Sequence, residues 1–163
     1  MMDRPAVLAQ LAELGISYEE RQHEAVYSMA EMEAAAIDCL GPVCKNLFLK
    51  DDKGRQHFLV VLAEDKRADL KALAVQLGSR PLGFASEERL YKYLGLHKGE
   101  VTPLGILNDA ERAVTVVLDR SLEGQPKIGV HPNDNRFTLW LSYEALCQVI
   151  QQHGNKILLA DFA

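Results

Sequence analysis

Apolar positions along the chain alternate between helical spacing and short crowded runs, which reads as helices separated by strands. Val7, Leu8, Leu11 and Leu14 recur at helical spacing behind Asp3 and Pro5, with Gly15 as the stop, so a first helix is predicted there. Ile16 to His23 then reads as a short strand. Ser28-Met-Ala-Glu31 has capping-box form and predicts a second helix through Ala36. Val43 to Lys50 looks extended, Asp51-Asp-Lys-Gly54 is a turn, and Phe58 to Ala63 is a continuous apolar run. Together they predict a hairpin whose second strand is buried. A helix is expected from Asp65 with Leu70, Leu73, Ala74 and Leu77 on one face, closed by Gly78. Ser86 caps another that carries Leu90, Tyr93 and Leu94 and ends at Gly95. Val114 to Leu118 and Phe137 to Leu141 are strand-like. Ser142 caps a last helix with Leu146, Val149 and Ile150, closed by Gly154, before a final strand from Lys156 to Ala160.

Hairpins and helices follow one another without a regular βαβ alternation. That order favours one α/β domain built on a mixed, largely antiparallel sheet with packed helices. The length, 163 residues, suits a single core. Hydrophobic residues make up 48% and charged residues 25%, the balance of a soluble globular protein. No apolar run approaches a bilayer span, and the first residues lack the apolar core of a secretory signal. A cytoplasmic, membrane-free protein is the expectation.

Charge changes the picture locally. The chain carries a net −5, which argues against indiscriminate nucleic-acid binding, yet residues 41–100 hold 11 Lys/Arg against 8 Asp/Glu. Such a segment can place a basic face on a phosphate backbone, or it can be a solvated mixed surface. Cys39, Cys44 and Cys147 form an odd set, which fits a reducing compartment. Cys39 and Cys44 are the only close pair, and no second Cys/His pair stands at zinc spacing, so buried thiols are expected rather than a metal site. Five scattered histidines make no ligand pair, and no nucleophile elbow, P-loop, dinucleotide fingerprint or zinc-protease motif is present.

Four segments carry more specific information. They are Cys44-Lys-Asn-Leu-Phe-Leu-Lys-Asp51, Gly83-Phe-Ala-Ser-Glu-Glu-Arg-Leu90, the stretch from Leu96 to Asp109 that contains Gly99-Glu-Val-Thr-Pro103, and Ile128-Gly-Val-His-Pro-Asn-Asp-Asn-Arg-Phe-Thr138. In order and spacing they resemble the YbaK/prolyl-tRNA-synthetase editing-domain family, and within it the freestanding Ala-tRNA(Pro) deacylases. The resemblance implies a compact α/β fold around a mixed, barrel-like sheet. It implies hydrolysis of the ester joining a mischarged amino acid to the terminal adenosine of a tRNA, with no metal or cofactor. The implied partner is the acceptor end of a mischarged tRNA, with prolyl-tRNA synthetase or an elongation factor as transient partners.

The same resemblance assigns candidate residues. Lys45, a lone cation in an apolar strand, would meet the terminal phosphate, since a compact ammonium suits a single phosphate contact. The bland alternative is a lysine that snorkels to the surface beside Asn46. Gly99 to Pro103 would bring backbone N–H groups toward the reacting ester, where they could stabilise an oxyanion; otherwise it is an ordinary connection between helix and strand. His131 would lie at the aminoacyl site, binding the amine, positioning water or forming a wall. Asn46, Val101, Thr102 and Gly129 are candidate substrate contacts, and Phe48 is expected in the core. Lys50, Arg80, Arg89, Lys92 and Lys98 are candidates for the acceptor stem. Other mischarged species, such as Cys-tRNA(Pro) or Ser-tRNA, and a catalytically silent binding module using the same pocket, remain alternatives.

Overall fold

Side-chain oxygens start the helices where the sequence offers them. In the computed structural model, which describes residues 1–23 and 42–163, Asp3 caps α1 (Arg4–Glu13) and Asp69 caps α2 (Leu70–Leu77). Ser86 caps α3 (Glu87–Leu94) and Ser142 caps α4 (Tyr143–His153). Each accepts from a backbone N–H that the first turn leaves free. Glycines 78, 95 and 154 end α2, α3 and α4 in the left-handed conformation, which side chains with a Cβ disfavour. The expected start of α2 at Asp65 is corrected. The helix begins at Leu70 because Asp69, not Asp65, supplies the capping oxygen to Lys71 and Ala72. The expected helix from Ser28 to Ala36, and Cys39, lie outside the described residues.

The strands form two sheets. The larger, in the order β4-β2-β3-β5-β8, contains β2 (Cys44–Asp51), β3 (His57–Ala63), β4 (Leu82–Phe84), β5 (Val114–Asp119) and β8 (Ile157–Ala160). β2 pairs antiparallel with β3 and β4, whereas β3, β5 and β8 run parallel. The smaller sheet, β1-β7-β6, is antiparallel and joins β1 (Glu19–Gln22), β6 (Ile128–Val130) and β7 (Phe137–Leu141). A single bridge between Val43 and Gly129 links the sheets, with the Gly129 N–H on the Pro42 carbonyl at 2.9 Å. The pairing is largely antiparallel, as expected. The barrel-like closure is not seen: among the described residues the link stops after one bridge and both sheets stay open.

Residue alternation divides the interior. Cys44, Phe48, Leu59 and Val61 face a large core shared with α1, α3, α4 and the small sheet. Leu49, Phe58, Val60 and Leu62 face a smaller one closed by Leu73 of α2. β3 is therefore buried on both faces, as its unbroken apolar run predicts. β4, β6 and a 3-10 helix over Pro103–Asn108 carry no periodic signal at three to six residues, and the sequence does not reveal them.

Candidate functional site

The site grows from the edge of β2. β4 pairs with β2 only from Leu49 to Asp51, and one further bond joins the Ala85 N–H to the Phe48 carbonyl at 2.9 Å. Ahead of that point, among the described residues, β2 has no strand on its β4 side. The segment after α3 faces this open edge, and between them lies a cavity of about 630 Å³ lined by Asn46, Leu47, Phe48, Phe84, Ala85, Glu87, Leu90, Lys98, Gly99 and Val101. That volume is in the range of small-ligand sites. Three other cavities hold none of the predicted residues: one of about 450 Å³ beside Glu19, Lys127 and Trp140, one of about 310 Å³ beside Arg67, Leu73 and Phe162, and a polar one of about 250 Å³ beside Arg55, His57 and Lys156.

Local geometry explains the loop. Gly99 has φ +85°, a conformation glycine adopts without steric cost, and the Glu100 N–H closes a turn on the His97 carbonyl at 3.0 Å. Thr102, fully buried, caps the 3-10 helix through the Leu104 N–H. Its hydroxyl donates to the His131 carbonyl at 2.6 Å. Pro103 follows as the buried first residue of that helix. The loop is thus fastened to the end of β6, and its Gly99 and Val101 are left against the cavity.

Asn46 supplies the clearest polar feature of the wall. Its Nδ2 makes one long bond, 3.4 Å, to the Cys44 carbonyl, and its Oδ1 is buried with no partner. A carbonyl can only accept, so the amide nitrogen is fixed toward Cys44 and the oxygen is left as an unused acceptor. Such an orphan costs about 1–3 kcal/mol.

The remaining predicted residues are placed as follows. Lys45 shares the α2 side of β2 with Leu47 and Leu49, and its ammonium donates to the Lys66 carbonyl; it does not line the cavity. His131 does not line it either. Its Nδ1 lies 2.9 Å from the Phe137 carbonyl and so carries the proton. Burial holds its pKa below the usual histidine value, against the raising effect of the Phe137 bond, so the ring is neutral near pH 7. His23 stands edge-on at 6.5 Å. Gly129 has a packing reason: a Cβ there would sit 2.8 Å from the Trp140 ring. Phe48 is in the core, as expected.

Of the cations considered for the acceptor stem, Lys98 reaches the cavity. Arg80 is held by Asp52 at 2.6 Å, and Arg89 donates to His57 and to the Gly54 carbonyl. Lys50 donates to the Asp51 carbonyl, and Lys92 lies over the Tyr93 ring. Sequence reasoning did not single out Phe84 or Glu87. Both stand in a segment quoted for its resemblance, but a three-residue edge strand offers no alternation to mark Phe84, and Glu87 reads as an acid in the first turn of α3. Among the described residues no group of His, Cys, Asp and Glu could hold a metal, and no helix is long and apolar enough to cross a membrane.

Comparison with known proteins shows the family. The sequence profile of the aminoacyl-tRNA editing domain matches residues 23–149. The chain is 49% identical over 152 residues to the prolyl-tRNA editing protein ProX of Acetoanaerobium sticklandii, covering 93% of each. It is 38% identical over 144 residues to the prolyl-tRNA synthetase associated domain-containing protein 1 of Danio rerio, covering 86% of this chain and 78% of that one. A solved structure of a candidate trans-editing enzyme for prolyl tRNA synthetase superposes with a TM-score of 0.71 at 21% identity, covering 98% and 95% of the two chains, and so shares the fold.

Proposed function

Because this chain belongs to the aminoacyl-tRNA editing domain family, we propose that it is a freestanding deacylase that hydrolyses the ester of Ala-tRNA(Pro) and leaves Pro-tRNA(Pro) intact. The observation that carries this reading is that Asn46, whose Oδ1 has no partner, lines one cavity together with Gly99 and Val101. An aminoacyl ester presents an ammonium group next to its carbonyl. Asn46 Oδ1 accepts from the ammonium, while backbone N–H groups of the loop meet the carbonyl oxygen as it gains charge.

Hydrolysis then needs no enzyme nucleophile. Water adds to the ester carbonyl, the tetrahedral oxyanion rests on the loop, and the ribose oxygen leaves with a proton as the bond to carbon breaks. An aminoacyl ester is already activated, so positioning and oxyanion stabilisation supply most of what the reaction requires. The neighbouring ribose hydroxyl of the substrate can relay the proton. Lys45 exchanges the Lys66 carbonyl for the terminal phosphate when tRNA binds, a stronger, charge-assisted partner. The His131 backbone carbonyl holds the loop through the Thr102 hydroxyl, and the neutral ring is fixed separately by the Phe137 carbonyl.

Selectivity follows from size. A synthetase pocket shaped for proline cannot reject the smaller alanine by more than about 1–3 kcal/mol per missing methylene. A second pocket that admits alanine and clashes with proline removes the error. The test is a panel of tRNAs charged with Ala, Cys, Ser and Pro, followed as loss of aminoacyl ester. Loss of alanine with Pro-tRNA(Pro) spared is the expected result; no loss of alanine above background removes the assignment. A trapped acyl-enzyme would contradict the direct attack of water.

A further inference from the structure

Phe84 ends β4, the outermost strand of the larger sheet, and its side chain is 63% exposed while Phe48 and Phe58 are each 5% exposed. It also lines the cavity that holds Asn46 and Gly99. Among the described residues the exposed large apolar side chains are Met1, Val75, Phe84 and Tyr91. Tyr91 lies one turn beyond Glu87 on α3 and stacks on His97 at 5.3 Å with an interplanar angle of 27°. His97 directly precedes Lys98, which lines the cavity with Glu87. Two of the four exposed apolar groups are therefore rings at or near one mouth.

The charges there select the class of ligand. Glu87 and Lys98 oppose each other in sign, and His97 stands 3.8 Å from Glu87. A mouth near neutrality does not favour phosphate, but an uncharged aromatic base with a polar edge suits it. An exposed phenyl ring offers the large apolar face on which unpaired bases stack, and such stacking tolerates any base.

We propose that Phe84 is a stacking platform for an unpaired base at the 3′ end of the tRNA, an inference that rests on the editing function above. The reacting ester lies at Asn46 and Gly99. The chain leading away from it passes Phe84, which lines the same cavity, and the ring fixes the direction in which the acceptor end enters.

The experiment is equilibrium binding of an uncharged acceptor-stem RNA hairpin with its single-stranded 3′ end, read by fluorescence anisotropy. Phe84→Ala is expected to raise Kd about 5- to 100-fold, and Phe84→Trp to hold it near the wild-type value. Phe84→Leu, which keeps apolar bulk, should lose binding like alanine. Tm should stay unchanged, since the ring contributes little to the core. Hairpins abasic at the last or the penultimate nucleotide should bind wild type more weakly at the stacked position and Phe84→Ala no more weakly than the intact hairpin does. Equal Kd for wild type and Phe84→Ala, or losses that simply add, would overturn the platform. Wild-type turnover of mischarged tRNA, measured in parallel, reports on the proposed function separately: turnover with an unchanged Kd in Phe84→Ala removes the platform alone.

Discussion

Two asparagine side chains in this fold, the buried Asn155 and the half-buried Asn46, lead opposite lives. Asn155 sits at the base of the larger sheet, and every polar atom of its amide is used: Nδ2 donates to Asp109 Oδ2 at 2.9 Å and to the Val114 carbonyl at 2.8 Å, and Oδ1 meets His153 Nδ1 at 2.7 Å. Asp109 in turn accepts from the backbone of Ala113 and Val114. Asn46 lies at the edge of the same sheet and leaves its Oδ1 without a partner in a cavity wall. Folding completes the first amide and leaves the oxygen of the second without a protein partner. A satisfied buried network fixes structure, whereas an orphan costs free energy that the native state carries for another purpose.

The contrast is sharpest if each asparagine is made apolar. Asn155→Leu leaves Asp109 and the Val114 carbonyl short of a donor in a buried place. A loss of about 3 kcal/mol is expected, seen as a fall in Tm of roughly 6–12 °C, with kcat/KM on mischarged tRNA unchanged well below the transition. Asn46→Leu should do the reverse. It removes an orphan, so Tm stays level or rises, while loss of a hydrogen bond to a charged amine lowers kcat/KM about 10- to 150-fold. If Asn46→Leu melts early and keeps its activity, the two amides play the same role and the distinction fails.

Thr102 tests whether the loop belongs to the functional side of this division. Thr102→Val keeps shape but removes the bond to the His131 carbonyl and the cap on Leu104. A moderate fall in stability, about 1–2 kcal/mol, should accompany a drop in kcat larger than any change in KM, since the loop would lose its aim rather than its presence. Thr102→Ser, which restores the hydroxyl, should recover kcat. A KM effect alone would place the loop in binding and not in oxyanion stabilisation.

This division was only half legible in the sequence. Caps such as Asp3, Ser86 and Ser142 act within one turn, so local residues announced them. The resemblance brought Asn46, Gly99 and Val101 forward together, and they line one cavity. What the sequence could not reveal depends on contacts between distant residues. Thr102 meets His131 across 29 positions. Gly129 serves Trp140. The direction of Lys45 follows from strand alternation together with a carbonyl 21 positions away. The choice of Asp69 over Asp65 as cap, and the open edges of the two sheets among the described residues, were likewise tertiary outcomes that overrode local propensity.

The smallest expected effect concerns acid. His57 and His131 both have pKa values below the ordinary 6.5, in each case chiefly because burial disfavours the charged ring; Arg89 beside His57 and His23 beside His131 add to it. Arg89 donates to His57 Nε2 at 3.0 Å, and the ring lies 4.1 Å from that of Tyr93, so a proton on that nitrogen would face a guanidinium. Above pH 6.5 both rings are neutral whether the chain is folded or not, and they contribute no pH dependence. As pH falls below 6.5 the unfolded chain takes up protons that the folded chain refuses. Stability therefore declines through that window, by at most about 1.4 kcal/mol per pH unit for each ring, until the folded rings titrate. The depressed Asp51, Asp52 and Asp134 carboxyls act only at lower pH, where carboxylates begin to protonate. Urea unfolding at pH 7.5, 6.5 and 5.5 should thus show a slope confined to the acidic step, and His57→Gln with His131→Gln should flatten it. A wild-type curve that gains stability between pH 6.5 and 5.5 would mean these rings find an anionic partner in the folded chain, and the neutral state of the His131 ring would have to be given up.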